Sequence, residues 1–287
     1  MKSFISILLL SSLLLCSCAG GKKTDSDGSS DTVEKNSESS QKPADTVKEE
    51  EMGKSGLKKN AVVVFTGDSI TDGYRKDRTD PNDLGQNNYV TMFNDYIQKN
   101  FPEDNIKVYN TGYSGYWIQH LHNDLKPFVL DLDPDYLIVN IGTNNCWFDK
   151  GSIENVEKEY RSLIDDIQAK TKAKLIIVQP YLYECDFVLD GVPLNDWIPR
   201  MSQISDIVCR VGAEKNIPVI YYSDIFRQAM IQYDYPYKPI LSVDGIHPNT
   251  IGYKMFYNVL CQELGIKGFK SKYSFDFSEI KAKYGVK

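Results

Sequence analysis

Five short apolar runs alternate with amphipathic stretches between residues 61 and 264, and this alternation constrains the fold more than any other feature. Each run is rich in β-branched residues and almost continuously apolar, which is typical of a parallel strand buried on both faces. The runs are 61–65, 106–109, 136–141, 175–178 and 219–222, and the helical stretches are 89–100, 117–125, 153–170, 201–215 and 250–264. Because crossovers between parallel strands must span the sheet, the pattern predicts a three-layer, flavodoxin-like α/β/α domain around a five-stranded parallel sheet.

The first residues of the chain have the composition of an export signal. An apolar run at 5–15 is too short to span a bilayer comfortably, so a cleaved signal peptide is predicted for residues 1–18. Cys16 and Cys18 end this segment in a Leu-Cys-Ser-Cys sequence that resembles a bacterial lipobox. The resemblance implies an exported cell-envelope lipoprotein, periplasmic or on the surface, held to a membrane through a lipid on Cys18. Ordinary secretion with two incidental cysteines is the alternative.

Residues 19–60 differ in composition from the domain that follows. They are rich in Lys, Asp, Glu, Ser and Gly and contain no aromatic residue. Such a segment cannot bury enough apolar surface to offset the entropy of ordering, so a disordered tether is predicted. The folded domain is predicted at 61–265 and a C-terminal extension at 266–287. The formal charge of −6 argues against a nucleic-acid partner, which usually requires a basic face on the protein.

Four short motifs lie where predicted strands end or where the last predicted helix begins. The carboxyl ends of parallel strands form one edge of a sheet, and ligands of such domains bind in the crevice there. The motifs should therefore lie close together in space. In sequence order they are Gly67-Asp68-Ser69-Ile70-Thr71, Gly112-Tyr113-Ser114-Gly115, Gly142-Thr143-Asn144-Asn145 and Asp244-Gly245-Ile246-His247-Pro248.

These motifs, in this order, resemble those of the SGNH (GDSL-like) hydrolase family over essentially the whole domain. The resemblance implies that Ser69 is a nucleophile, that His247 takes its proton, and that Asp244 orients the imidazole. A serine hydroxyl needs such a base, because it is a poor nucleophile at neutral pH. The resemblance also implies an oxyanion hole made by the backbone N–H groups of Ser69 and Gly115 and the side-chain amide of Asn144. We expect a serine esterase that needs no cofactor and no metal.

The third motif departs from the family pattern at one position. The usual sequence is Gly-x-Asn-Asp, and Asn145 stands here in place of the final aspartate. The oxyanion donor Asn144 is kept, whereas a carboxylate that could orient neighbouring groups is lost. We therefore expect Asn145 to alter the local geometry or the rate rather than the mechanism.

Aromatic side chains crowd the four motifs, and such rings either stack on sugars or fill a protein core. The segments 67–75 and 142–147 and the loop at 196–197 resemble acetylxylan esterases and related carbohydrate acetylesterases. This resemblance implies hydrolysis of O-acetyl esters on a polysaccharide or oligosaccharide. A lipolytic esterase or lysophospholipase, and a non-catalytic surface glycan-binding protein, are the alternatives. The predicted substrate contacts are Asp68, Tyr74, Trp117, Trp147 and Trp197.

The remaining cysteines and histidines indicate no second chemistry. His120 and His122 lie in the predicted helix 117–125, and no cluster of His, Cys and Asp residues has the spacing of metal ligands. Four thiols would remain after signal removal and lipidation; they permit three pairings, and no disulfide is assigned. The oligomeric state is left open. The four cysteines are Cys146, Cys185, Cys209 and Cys261.

Overall fold

The computed structural model describes residues 51–149, 151–183, 187–232 and 241–286, and the predicted signal segment with Cys18 lies outside them. Five of the described strands form one parallel sheet in the order β2-β1-β3-β4-β7, and β5 pairs with β6 in a separate antiparallel hairpin. The predicted α/β fold with a five-stranded parallel sheet is confirmed. The strands are β1 (Val62–Gly67), β2 (Lys107–Asn110), β3 (Tyr136–Asn140), β4 (Lys174–Val178), β5 (Val188–Leu189), β6 (Val192–Pro193) and β7 (Val219–Ile220).

Most helices follow the predicted amphipathic stretches. The predicted helix 117–125 is divided into α3 and α4, and the residues after β7 form a helix, α7, that was not predicted. No helix within the described residues is both long enough and apolar enough to cross a membrane. The helices are α1 (Ser69–Asp72), α2 (Tyr89–Asn100), α3 (Ile118–Asn123), α4 (Leu125–Phe128), α5 (Ile153–Lys170), α6 (Ile198–Lys215), α7 (Tyr222–Gln232), α8 (Thr250–Glu263) and α9 (Ser278–Lys283).

The two faces of the sheet carry separate apolar cores, because successive side chains of a strand point to opposite faces. Val63 and Phe65 of β1 pack with residues of α2, α7 and α8, whereas Val64 packs with residues of α3, α5 and α6. The same alternation continues in β3 and β4. Helices therefore cover both faces, as the three-layer prediction requires.

Residues 51–60 are part of the folded domain, so the predicted tether extends too far toward the C-terminus. Met52 and Lys58 form a β-bridge, and the backbone N–H of Ser55 donates to Asp104 Oδ2 at 2.6 Å. Leu57 is fully buried in the core beside the sheet. One apolar anchor and a set of backbone hydrogen bonds hold this polar segment in place. The rest of the predicted tether lies outside the described residues.

The C-terminal extension also packs on the domain. Four of its aromatic side chains contact the core shared with α2 and α8: Phe269, Tyr273, Phe275 and Phe277. In α9, Lys283 forms an ion pair with Asp206 of α6 at 2.8 Å. The extension therefore covers apolar surface that the α/β layers leave open.

Candidate active site

The sheet order brings three of the four motifs to one edge. Strand β1 lies between β2 and β3, so the segments that follow these three strands are neighbours. The first of them turns sharply into α1 at Gly67, whose φ is 148°. A Cβ at this position would lie 1.9 Å from the carbonyl oxygen of Asn140, so only glycine allows the two strand ends to approach this closely. Ser69 is therefore placed at the carboxyl edge of the sheet, as the sequence predicted.

The loop before α8 brings the fourth motif to Ser69. His247 Nε2 lies 2.8 Å from Ser69 Oγ, and His247 Nδ1 lies 2.6 Å from Asp244 Oδ2. The other carboxylate oxygen, Asp244 Oδ1, accepts the backbone N–H groups of Ile246 at 2.9 Å and His247 at 2.7 Å. Because an ionised carboxylate only accepts, Nδ1 carries the proton and Nε2 faces the serine as an acceptor.

Hydrogen bonds within the loop hold His247 at this position. Ser242 Oγ donates to the carbonyl of His247 at 2.7 Å and accepts the backbone N–H of Gly245 at 2.9 Å. Asn249 caps α8, with its side chain accepting the N–H groups of residues 251 and 252. The imidazole thus projects from a turn that is fixed at both ends.

The charges of this pair shift both pKa values in the directions that favour proton transfer. Burial lowers the pKa of His247, but the hydrogen bond and negative charge of Asp244 outweigh it and hold that pKa above its usual value. Burial opposes ionisation of Asp244, and hydrogen bonds from His247 outweigh it, so its pKa lies below its usual value. The imidazole can therefore take a proton readily while the carboxylate stays charged.

Three potential hydrogen-bond donors lie on the neighbouring segments that follow β1, β2 and β3. Gly115 has a φ of 84°, which favours glycine, and a Cβ there would meet nothing within 4 Å. Asn144 Nδ2 donates one hydrogen to the carbonyl of Tyr116 at 2.8 Å. Among the described residues, no acceptor bonds the backbone N–H of Ser69 or of Gly115. The arrangement can supply donors to an oxygen that gains negative charge beside Ser69.

Comparison with known families agrees with this geometry. Residues 65–255 match the GDSL-like Lipase/Acylhydrolase family, and this range contains all four motifs. The chain belongs to this family. The resemblance to SGNH hydrolases drawn from the motifs is therefore confirmed.

Two characterised esterases are similar to this family member. Acetylxylan esterase of Geobacillus stearothermophilus is 23% identical over 218 residues, which cover 73% of this chain and 96% of the relative. Isoamyl acetate-hydrolyzing esterase of Schizosaccharomyces pombe is 26% identical over 161 residues, which cover 55% of this chain and 62% of the relative. Both relatives support carboxylic ester hydrolysis as the reaction of this family member.

Solved structures share the fold. LAE5, an alpha/beta hydrolase from the metagenome of Lake Arreo, superposes with a TM-score of 0.60 at 26% identity, covering 72% of this chain and 96% of its own. Axe2, an acetylxylan esterase from Geobacillus stearothermophilus, superposes with a TM-score of 0.62 at 23% identity. The match covers 75% of this chain and 98% of Axe2. Axe2 variants with a serine, an aspartate or a histidine replaced by alanine are described as catalytic mutants.

Asp68, which the sequence predicted as a substrate contact, is the N-cap of α1 in this GDSL-like hydrolase. Its side chain is fully buried, and Oδ1 accepts the backbone N–H of Ile70 at 3.0 Å as the N-cap of α1. Burial raises the pKa of this carboxyl to about 6. Asp68 therefore orients the helix that carries Ser69.

The predicted aromatic contacts differ in how freely they face solvent. Tyr74 is 63% exposed and has a φ of 64°, which is uncommon for a residue with a side chain. The ring of Trp117 stacks on His120 at 4.2 Å, and Trp147 meets Phe148 edge-on at 6.1 Å. Trp197 is half-buried. Tyr74 is thus the most accessible of the predicted rings.

Two arginines that sequence analysis did not single out for a role organise the segment after α1. The buried guanidinium of Arg75 donates to four backbone carbonyls, including that of Gly112 in the second motif at 3.0 Å. Arg78 forms an ion pair with Asp72 at 2.6 Å and lies over the ring of Tyr113 at 5.3 Å. Most of these partners lie within residues 72–83, and the contacts with Gly112 and Tyr113 join this segment to the second motif.

The three cysteines that the structure describes give no sign of a second reactive centre. Cys146, Cys209 and Cys261 are buried free thiols, whereas Cys185 lies outside the described residues. Burial raises the pKa of Cys146 to about 12, so its thiolate is not populated near neutral pH. Within the described part of the chain, no group of three or more His, Cys, Asp and Glu side chains could hold a metal ion.

Proposed function

We propose that this ester hydrolase removes O-acetyl groups from carbohydrates and that Ser69 is its nucleophile. The observation that carries the proposal is a continuous line of hydrogen bonds from Asp244 through His247 to Ser69, with lengths of 2.6 Å and 2.8 Å. This arrangement activates a serine for acyl transfer. The catalytic mutants of Axe2 replace the same three residue types, which supports the same roles here.

The first half of the proposed reaction forms an acyl-enzyme. Ser69 Oγ adds to the carbonyl carbon of the ester while His247 Nε2 takes the hydroxyl proton. The carbonyl oxygen becomes an oxyanion and accepts hydrogen bonds from the backbone N–H groups of Ser69 and Gly115 and from the second hydrogen of Asn144 Nδ2. The C–O bond to the sugar then breaks, and His247 returns the proton to the departing hydroxyl group.

The second half of the reaction regenerates the serine. A water molecule gives a proton to His247 Nε2 and adds to the acetyl carbonyl, and the same donors stabilise the second oxyanion. Collapse breaks the bond to Ser69 Oγ, which recovers its proton from His247, and acetate leaves. Asp244 stays ionised throughout and stabilises the imidazolium in both halves.

The two curated relatives support the acyl side of the substrate more directly than the alcohol side. Both act on acetate esters by name, yet one ester is of a glycan and the other of isoamyl alcohol. Support for a sugar as the alcohol part of the substrate comes from the aromatic side chains near the motifs, above all the exposed ring of Tyr74 close after α1. Aromatic rings stack on the apolar faces of sugars, and a strained backbone at a site edge often marks a functional position.

Ester cleavage by Ser69 can be tested with an aryl acetate. We expect Ser69→Ala to lower kcat at least about 10⁴-fold, because the nucleophile is lost while the fold is kept. Ser202→Ala, at an exposed position of α6, serves as the matched control and should keep the wild-type rate. Equal rates for Ser69→Ala and wild type would disprove the proposed nucleophile and would favour a non-catalytic glycan-binding protein.

The substrate class can be tested by acetate release. We expect purified enzyme to release acetate from acetylated xylan, mannan or pectin, or from their oligosaccharides, faster than it cleaves aryl esters of long fatty acids. Tyr74→Ala should raise KM for the sugar esters and leave KM for the aryl acetate nearly unchanged. Cleavage of lysophospholipid without acetate release from any acetylated sugar would show that the lipolytic alternative is correct.

We also propose that the chain is exported and held to a membrane through Cys18. The support is the apolar run at 5–15 with the lipobox-like sequence that ends at this cysteine. Labelled fatty acid should enter the wild-type protein and the Cys16→Ser variant but not Cys18→Ser. Labelling that survives Cys18→Ser would contradict the assigned anchor.

A further inference from the structure

Asn145 uses its whole side-chain amide in hydrogen bonds, although it stands where the family pattern has aspartate. The side chain is fully buried, and Oδ1 accepts the backbone N–H of Ile118 at 3.0 Å. Nδ2 donates to Gln119 Oε1 and to Asp149 Oδ2, both at 3.2 Å. One acceptor and both donors are engaged, so the amide is held in a single orientation.

The bond to Ile118 caps α3 from outside the helix. The first N–H groups of a helix have no partner within it, and Trp117 at the N-cap position makes no side-chain cap bond. Asn145 supplies the missing acceptor. The segment directly before α3 carries Gly115, one of the proposed oxyanion donors, so this cap fixes the end of that segment.

A second bond runs between the same two segments in the opposite direction. Asn144 Nδ2 donates to the carbonyl of Tyr116 at 2.8 Å, while Asn145 accepts from Ile118. These reciprocal bonds set the position of the Gly115 segment relative to the turn that carries Asn144. The bonds thereby fix the positions of two proposed oxyanion donors relative to each other, the backbone N–H of Gly115 and the side-chain amide of Asn144.

Asp149 supplies the carboxylate that the third motif lacks. Its Oδ2 accepts from Asn145 and from Gln119 Nε2 at 3.4 Å, and its Oδ1 accepts the backbone N–H of Gly151 at 2.8 Å. Arg200 donates to the carbonyls of Asp149 at 2.7 Å and Gly151 at 2.9 Å and so fixes the backbone here. The side chain of Asp149 thus orients the amide of Asn145.

We infer that Asn145 and Asp149 act as one positioning pair for the oxyanion hole, with the carboxylate moved four residues along the chain. The inference rests on ester hydrolysis at Ser69 and not on the identity of the sugar. It explains why aspartate at position 145 would be harmful in this chain. The new carboxylate oxygen would lie where Nδ2 now lies, 3.2 Å from Asp149 Oδ2.

Asn145→Asp should therefore damage catalysis in a pH-dependent way. Two carboxylates this close cannot both stay ionised, so the pair shares a proton and one of its two pKa values is strongly raised. We expect kcat to fall about 10- to 100-fold at about pH 8, with KM for an aryl acetate changed less than about threefold. The deficit relative to wild type should shrink toward about pH 6, where the shared proton restores a hydrogen bond.

The double variant Asn145→Asp with Asp149→Asn restores the pair with its polarity reversed. The amide introduced at position 149 then donates to the carboxylate introduced at position 145, which still accepts the N–H of Ile118. We expect kcat to return to within about threefold of wild type and the added pH dependence to disappear. Asn123→Asp, an exposed position at the end of α3, adds the same charge and should leave kcat unchanged.

The readouts are kcat, KM and thermal unfolding of each full-length variant with an aryl acetate, from about pH 6 to about pH 9. If Asn145→Asp does not fold, recovery of folding and kcat in the double variant supports the pair, and no recovery overturns it. Wild-type kcat for Asn145→Asp across this range also overturns it. Absence of aryl acetate hydrolysis by the wild type would instead contradict the proposed function.

Discussion

Replacing Asp244 by asparagine should change which nitrogen of His247 carries the proton. Asp244 Oδ1 accepts two backbone N–H groups, at 2.9 Å and 2.7 Å, and an asparagine would keep its oxygen there. Its NH₂ group would then replace Oδ2, 2.6 Å from His247 Nδ1. Because that group donates, Nδ1 must become the acceptor and Nε2 must carry the hydrogen. Nε2 can then no longer take the proton of Ser69.

The expected loss is about 10³-fold in kcat/KM, equivalent to about 4 kcal/mol. In serine-protease triads, the corresponding change costs about 10⁴-fold through the wrong tautomer. The side chains of His247 and Asp244 are 29% and 26% exposed here, so water can partly support a ring in the productive tautomer. That access to water makes the loss in this enzyme somewhat smaller.

The pH profile gives a second, independent readout. His247 must be neutral to act as a base, so wild-type kcat/KM should fall as the pH drops through the pKa of this histidine, which Asp244 holds above its usual value. Asp244→Asn removes the negative charge, lowers the pKa of His247, and should move the acid limb to lower pH. NMR titration of the ring in a Ser69→Ala background would measure the same shift, helped by a total of only three histidines.

Aryl acetate hydrolysis by wild type, Asp244→Asn and the control Asp95→Asn tests whether Asp244 orients His247. Asp95 is exposed on α2, and its replacement removes one negative charge without touching the site. A rate for Asp244→Asn within about tenfold of wild type, with an unmoved acid limb, would refute the assigned role of Asp244.

Three further substitutions test the site and the fold. Asn144→Ala should lower kcat about 10²- to 10³-fold with little change in KM, and a loss confined to KM would contradict its oxyanion role. Arg75→Lys should destabilise the protein by about 2–4 kcal/mol in urea unfolding, because lysine cannot bond four carbonyls as the guanidinium does; an unchanged midpoint would disprove this. Leu57→Ala should cost about 2–4 kcal/mol, whereas Met52→Ala at an exposed position of the same segment should cost less than about 0.5 kcal/mol. Equal costs would mean that residues 51–60 do not anchor to the core.

The sequence predicted helices and strands well where capping residues or continuous apolar runs marked them clearly. The helices α2 and α5 have the predicted bounds, since Asn88 and Ser152 cap their first turns with side-chain acceptors. The sheet strands were found within one or two residues, because burial on both faces leaves continuous apolar runs. The helix α7 was missed because its first residue, Tyr222, continues the apolar run of β7.

Weak local signals explain the errors. Residues 51–60 look like tether in composition, and their place in the domain depends on Leu57 meeting the core and on Asp104, about fifty residues away, accepting backbone N–H groups. Asp68 could have been recognised as a cap, since an aspartate before a helical turn accepts the N–H two residues on. The family motif drew attention to Ser69 instead.

The sequence by itself determined the α/β fold, the family and the motifs that carry the candidate site, because periodic burial and short motifs are local properties of the chain. Only the tertiary structure decided how those residues meet. Ser69 and His247 are 178 residues apart, and sheet order with a capped loop brings them to 2.8 Å. The motif likewise did not predict the hydrogen bonds of Asn145 with Ile118 and Asp149. A hydrogen bond between distant segments depends on where the fold places both partners, and a local pattern records only one of them.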